Sequence, residues 1–181
     1  MRPVGYLVNT REGLAGEPGL YYDYHLAANG LFIRAEGPLL AATVQIAQMQ
    51  VRGLSPLEKM VEFTHGRIPR YLYELALATL AADPWYESYL AVTWEGGYRL
   101  RQPPQEGRAG GVRYERLPNT GLDIHSHGSM GAFFSYTDDR DEQGLGLYMV
   151  VGRVDTLFPE VELRVGVYGY FAPITFGEVF T

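Results

Sequence analysis

The sequence predicts an α+β fold: short alternating apolar runs fill residues 1–64, one amphipathic helix begins at Pro69, and alternating runs resume beyond it. In the first region strands are expected at 4–8, 20–25, 31–35 and 43–51, divided by the glycine-bearing turns GLAGEPG and AANG. The last run changes parity. Val44 and Ile46 fall on one face and Ala47, Met49 and Val51 on the other, which predicts a bulge. In SPLEKMVEF, Ser55 followed three residues later by Glu58 resembles a capping box and predicts a short helix.

From Pro69, PRYLYELALATLAA places Leu72, Leu75, Ala76, Thr79 and Leu80 on one helical face, with proline at the start, where a missing amide costs nothing. ESYLAVTW and YRLRQP then read as strands joined at the EGG turn, and PPQEGRAGG, residues 103–111, as a flexible loop. VRYERL and LDIHSH follow as strands, then an acidic helix from Ser135, then strands in LGLYMVVGRV and VELRVGVYGYF. The chain thus divides into a β-rich region, 1–64, and a larger mixed region, 65–181.

Composition narrows the functional classes. The 181 residues suffice for one domain with a substantial core, and 46% hydrophobic with 20% charged residues is a globular balance. A net charge of −6 disfavours nucleic acid and anionic membrane as partners, since both need clustered lysine and arginine. The chain has no cysteine, so disulfides, thiolate metal sites and cysteine nucleophiles are excluded, and any metal must be held by His, Asp or Glu. With no signal-like apolar segment and no bilayer-length apolar run, a cytoplasmic protein is expected.

The chemistry concentrates in IHSHGSMGAFFSYTDDRDE, residues 124–142. On a strand, His125 and His127 point to one face while Ser126 points to the other, so both imidazoles can meet one ion. The helix opening at Ser135 can return Asp138 toward them. Two imidazoles and one carboxylate leave a fourth tetrahedral position open, the arrangement of a catalytic zinc site. The blander reading is that S-x-x-D caps the helix and that Asp138, Asp139, Asp141 and Glu142 favour its dipole with no further role.

The spacing H-x-H, seven residues, S, two residues, D is met at His125, His127, Ser135 and Asp138, and in this the chain resembles the JAMM (MPN-plus, or JAB) metalloprotease family. Glu87, in DPWYESYLAVTW after the helix, stands where that family carries an upstream glutamate. The resemblance covers roughly residues 66–155. HSHG with AFFSYTDDRDEQG behind a β-rich start is similar to the bacterial JAB proteins, especially the PRTRC system protein A group. Gly128 and Phe134 stand where the family often has proline, and Thr93 and Trp94 where many members are glycine-rich, so loop shape and substrate contacts should differ.

The resemblance implies a cytidine-deaminase-like mixed sheet with packed helices over 65–181, preceded by a β-rich extension, 1–64. It implies Zn2+ held by His125, His127 and Asp138, with Glu87 as proton acceptor and donor and Ser135 as hydrogen-bond donor to the oxyanion. The implied reaction is hydrolysis of a peptide or isopeptide bond at the Gly-rich tail of a ubiquitin-like protein, with an E1-like enzyme as a further partner. A non-catalytic MPN scaffold and an amidase acting on small amino-acid conjugates are the other readings. A zinc deaminase is excluded, because its P-C-x-x-C segment cannot be built without cysteine. Glu95, in the WEGG turn, and Glu74, on the helix, are expected to be solvent-facing. His25 and His65 are expected to be structural or exposed, and the tyrosines of GLYYDYH to pack.

Overall fold

A computed structural model describes residues 2–108 and 111–181. The chain is a mixed α+β protein dominated by sheet, with 46% of residues in strands and 13% in helices. The elements run β1 (Val4–Thr10), β2 (Gly13–Ala15), β3 (Tyr22–Ala27), β4 (Gly30–Glu36), β5 (Leu40–Gln48), β6 (Met60–Phe63), α1 (Arg70–Ala81), β7 (Tyr89–Trp94), β8 (Tyr98–Arg101), β9 (Gln105–Arg108), β10 (Gly111–Tyr114), β11 (Thr120–Ser126), α2 (Tyr136–Asp141), β12 (Leu145–Gly152), β13 (Glu160–Val167), β14 (Tyr170–Pro173) and α3 (Phe176–Val179).

The first six strands form one sheet, in the order β2-β1-β3-β4-β5-β6. Its register slips between Leu31 and Phe32, which pair with Ala47 and Gln45 and so leave Ile46 as the extra residue, where the parity change predicts a bulge. The second sheet is β14-β13-β12-β11-β7-β8, with β11 and β12 parallel and its other pairs antiparallel. A parallel pair needs a crossover, and the 127–144 segment containing α2 supplies it.

Alternation gives the second sheet two unlike faces. Leu90 and Val92 of β7, Leu122 and Ile124 of β11, and Met149 and Val151 of β12 point inward with Leu72, Ala76 and Leu80 of α1. Ile33, Ala35, Ala42 and Val44 from the first sheet belong to the same core, so one hydrophobic interior joins the sheets. The opposite face of β11 carries Asp123 and His125, flanked by Tyr89 on β7 and Tyr148 on β12. The β9–β10 hairpin anchors there through Tyr114, whose ring stacks on Tyr89 at 3.5 Å.

Several expectations are corrected. SPLEKMVEF forms no helix: Asn29 accepts from the Leu57 amide at 3.0 Å and donates to its carbonyl at 2.8 Å, the Ser55 amide donates to the Asn9 carbonyl at 2.8 Å, and Met60–Phe63 pairs with β5. Tertiary partners for those backbone groups outcompete a helix that lacks a long apolar stripe. On α1 the buried residues are Leu72, Ala76 and Leu80, whereas Leu75 is 49% exposed and the Thr79 hydroxyl donates back to the Leu75 carbonyl at 2.8 Å. The covered arc is centred one residue away from the expected face, with Tyr73 and Leu77 on its flank. PPQEGRAGG is not all loop, because Gln105–Arg108 pairs with Gly111–Tyr114; residues 109 and 110 lie outside the described residues. GLAGEPG begins with strand β2, paired to β1, and VELRVGVYGYF divides into β13 and β14 at a turn where Tyr168 and Gly169 have φ of 47° and 87°.

Candidate active site

His125 lies near the end of β11, hydrogen-bonded on both sides, and the His127 amide extends the ladder to the Val151 carbonyl at 2.8 Å. Ser126 points the other way, 1% exposed, where its hydroxyl accepts from the Ser88 amide at 3.0 Å. Beyond His127 the chain must turn sharply. Gly128 has φ of 58° and sits so close to the Pro84 carbonyl that a Cβ would approach it to 2.8 Å. On β12, a Cβ at Gly152 would lie 2.2 Å from the Ala132 amide nitrogen, so this glycine lets the 130–132 loop cross the strand end.

That loop leads into α2. Ser135 is its N-cap: the Asp138 amide donates to the Ser135 hydroxyl oxygen at 3.3 Å, and the Ser135 amide donates to Asp138 Oδ2 at 2.6 Å. The other oxygen, Oδ1, lies 3.4 Å from His125 Nε2. Capping and ligation are therefore compatible, since each uses one oxygen of the same carboxylate.

One candidate ligand atom from each of His125, His127 and Asp138 lies within 4.8 Å of the others. His125 Nε2 and His127 Nδ1 are buried with no hydrogen-bond partner among the described residues. Orphaned buried nitrogens are costly, and a divalent cation would satisfy both. Burial, with only partial opposition from Asp138, pushes the His125 imidazole down to about 4, so it stands as a neutral donor at physiological pH. The rings are 5.2 Å apart, and Phe133 packs edge-on against His127 at 4.5 Å. Two imidazoles and a carboxylate could hold a divalent metal ion, and the set is not specific to zinc.

Glu87 lies two residues before β7 and lines the same cavity, of about 630 Å³, as His125, His127, Ser135 and Asp138. Burial pushes its carboxyl above the ordinary value, His127 draws it partly back, and Asp138 adds to the rise. The sequence-selected residues thus meet in one place. Glu95 does not join them, being paired with Arg101 and bonded by the Thr93 hydroxyl at 3.1 Å, and Glu74 pairs with Arg70 at 3.0 Å. His65 stacks on Trp94 at 3.8 Å, and His25 is buried on β3 in the first sheet. Among the GLYYDYH tyrosines, Tyr22 packs on Tyr168 at 4.7 Å and Tyr24 meets the Tyr170 hydroxyl at 3.2 Å.

Two acids that the blander reading assigns only to the helix dipole have a further role. Arg164, 7% exposed on β13, bonds Glu142 at 2.6 and 2.9 Å and Asp139 at 2.6 Å, while the Phe134 and Phe171 rings each lie 3.8 Å from its guanidinium carbon. This clamp holds the far end of α2. Burial pushes the Glu142 carboxyl up to about 7 despite the arginine. A charged residue inside VELRVGV was the available signal, because a buried arginine on an apolar strand needs acidic partners. Asp123 was also legible by parity, two residues before His125 on the same face. No family model matches the chain, and no curated protein matches it.

Proposed function

We propose that the chain is a zinc-dependent hydrolase of the JAMM type, on a JAB/MPN-type fold, cleaving peptide or isopeptide bonds at the Gly-rich tail of a ubiquitin-like protein, with an E1-like enzyme in the same system. The observation that carries this reading is the convergence of two orphaned imidazole nitrogens, a carboxylate oxygen and the half-buried Glu87 on one cavity. His125, His127 and Asp138 would hold the ion. When bound, zinc supplies the positive charge that acidifies water and polarises a carbonyl.

The chain's own residues supply the remainder. Glu87 accepts the proton of the attacking water and passes it to the departing nitrogen, a task suited to a carboxyl raised by burial. The Ser135 oxygen already accepts the Asp138 amide, which leaves its hydroxyl proton free to donate to a developing oxyanion. Phe133, packed on His127, limits water access from one side.

The test measures bound metal by elemental analysis and follows a ubiquitin-like fusion bearing a Gly-Gly tail by intact mass. About one zinc per chain and cleavage after the glycines, abolished by Glu87→Gln, are expected. Fully metallated protein that leaves both the fusion and small amino-acid conjugates intact would sink the hydrolase reading and favour a scaffold.

A further inference from the structure

One step back along β11 from His125, the same face carries a polar cluster that this hydrolysis leaves unused. Asp123 is 8% exposed and gives each oxygen a different donor, Oδ1 taking the hydroxyl of buried Tyr89 and Oδ2 the Arg116 guanidinium at 2.6 Å. The same arginine nitrogen, Nη2, lies 3.4 Å from the Tyr148 hydroxyl, with the Tyr148 ring 5.7 Å from the guanidinium carbon. Among the described residues the other guanidinium nitrogens have no partner, and the side chain, 45% exposed, lines the cavity that holds His125, His127 and Asp138. Arg116 is thus fixed by a buried carboxylate, itself held by Tyr89, and by the Tyr148 phenol, while its side chain lines the reaction space. A planar fork held in this way is built for a carboxylate.

We propose that Arg116 binds a free α-carboxylate on the leaving side of the substrate, so that preferred substrates end one residue beyond the scissile bond. The proposal rests on the hydrolase reading of the neighbouring metal centre and narrows its substrate class. Chain polarity sets the side: a terminal carboxylate lies C-terminal to the bond that breaks, on the amine that departs. Spacing sets the length, since Asp123 and His125 are two residues apart on a strand, roughly 7 Å, a span that fits the residue next to the scissile amide. Arg113 lines the same cavity and adds positive charge to it. Glu142, a buried acid of the same cavity, is already taken by Arg164.

The reaction balances as simple hydrolysis. The water oxygen bonds to the acyl carbon, the C–N bond breaks, and the nitrogen takes up the proton and leaves as a free amino acid. An isopeptide to a lysine inside a protein offers no such carboxylate, because that lysine's own is tied into the backbone.

Two measurements test this. In metal-free protein, titration by NMR compares acetyl-Gly-Ala with its C-terminal amide, which removes zinc as an alternative carboxylate binder. The acid should bind about tenfold or more tightly than the amide, and Arg116→Met should erase the preference. Because that variant strands Asp123, Arg116→Met/Asp123→Asn is measured beside it and should show the same loss. Equal binding of acid and amide by wild type, or a preference kept in the double variant, overturns the proposal. With zinc-loaded protein, a peptide ending Gly-Gly-Ala is compared with the same Gly-Gly joined to a lysine side chain in a blocked peptide. Faster cleavage of the free-ended peptide supports the proposal, and faster cleavage of the isopeptide overturns it while leaving the hydrolase intact. If neither is cut, the ubiquitin-like fusion still decides the hydrolase reading, and the metal-free titration decides whether Arg116 is a carboxylate site.

Discussion

Asp138 and Ser135 hold each other by reciprocal hydrogen bonds of 3.3 and 2.6 Å, and the exchange leaves the second Asp138 oxygen 3.4 Å from His125. Folding of the helix start therefore presets the third candidate ligand. Asp138→Asn keeps an acceptor for the Ser135 amide but is a poor zinc ligand, so it should lose metal while remaining nearly as stable as wild type. Asp138→Ala loses both functions and should cost about 1 kcal/mol more in metal-free protein. Metal analysis with urea unfolding separates the two effects, and equal stability of the variants would detach the cap from the ligand.

Glu87 should set the acidic limb of the pH–rate profile. In the proposed mechanism it works as its base form, and burial raises its carboxyl above the ordinary 4.5. Activity should therefore fall as pH falls through a value above 4.5, not at it. Glu87→Gln should abolish turnover at every pH while metal content stays at wild-type level. A limb at or below the ordinary carboxylate value would show that Glu87 is not the titrating base.

The Arg164 clamp gives an asymmetric prediction. Arg164→Ala leaves Glu142 buried without its cation and should cost about 3–5 kcal/mol, whereas Glu142→Gln should cost far less. The Glu142 carboxyl rises from 4.5 to about 7 on folding, so the folded state holds the proton more tightly. Its contribution to stability is full below 4.5 and is lost as pH rises toward 7. Glu142→Gln should remove that slope from the curve of stability against pH. An unchanged slope would place the titration elsewhere.

The orientation of α1 can be read by two leucines. Leu72 is 3% exposed and Leu75 is 49% exposed. Leu72→Ala should cost about 2–5 kcal/mol and Leu75→Ala no more than about 0.5 kcal/mol by chemical denaturation. Comparable losses would restore the face that periodicity alone selects.

The strands were legible where apolar residues alternate, as Leu122 and Ile124 do in LDIHSH, or form a short continuous run, as in ESYLAVTW, whose strand is buried on both faces, because both patterns are local. The His125, His127, Ser135, Asp138 grouping was legible for the same reason: strand parity and helix-start chemistry are both local. What the sequence obscured depends on distant partners. SPLEKMVEF carries a helix-start signal, yet Asn9 and Asn29 take its backbone groups. Asp139 and Glu142 read as dipole acids because Arg164, more than twenty residues away, is brought to them only by the sheet. Arg116 is silent in the sequence because nothing local marks an arginine whose partner lies across a loop on the next strand.

The single interior joining both sheets has a consequence for biosynthesis. Ile33, Ala35, Ala42 and Val44 leave the ribosome early, but among the groups that cover them are Leu147, Val165 and Val167, made more than a hundred residues later. The newborn first sheet must therefore wait with an apolar flank open to solvent, a state prone to misassociation and one that chaperones recognise. Expression at low temperature or with holdase chaperones should raise the yield of full-length protein, and residues 1–64 made alone should aggregate.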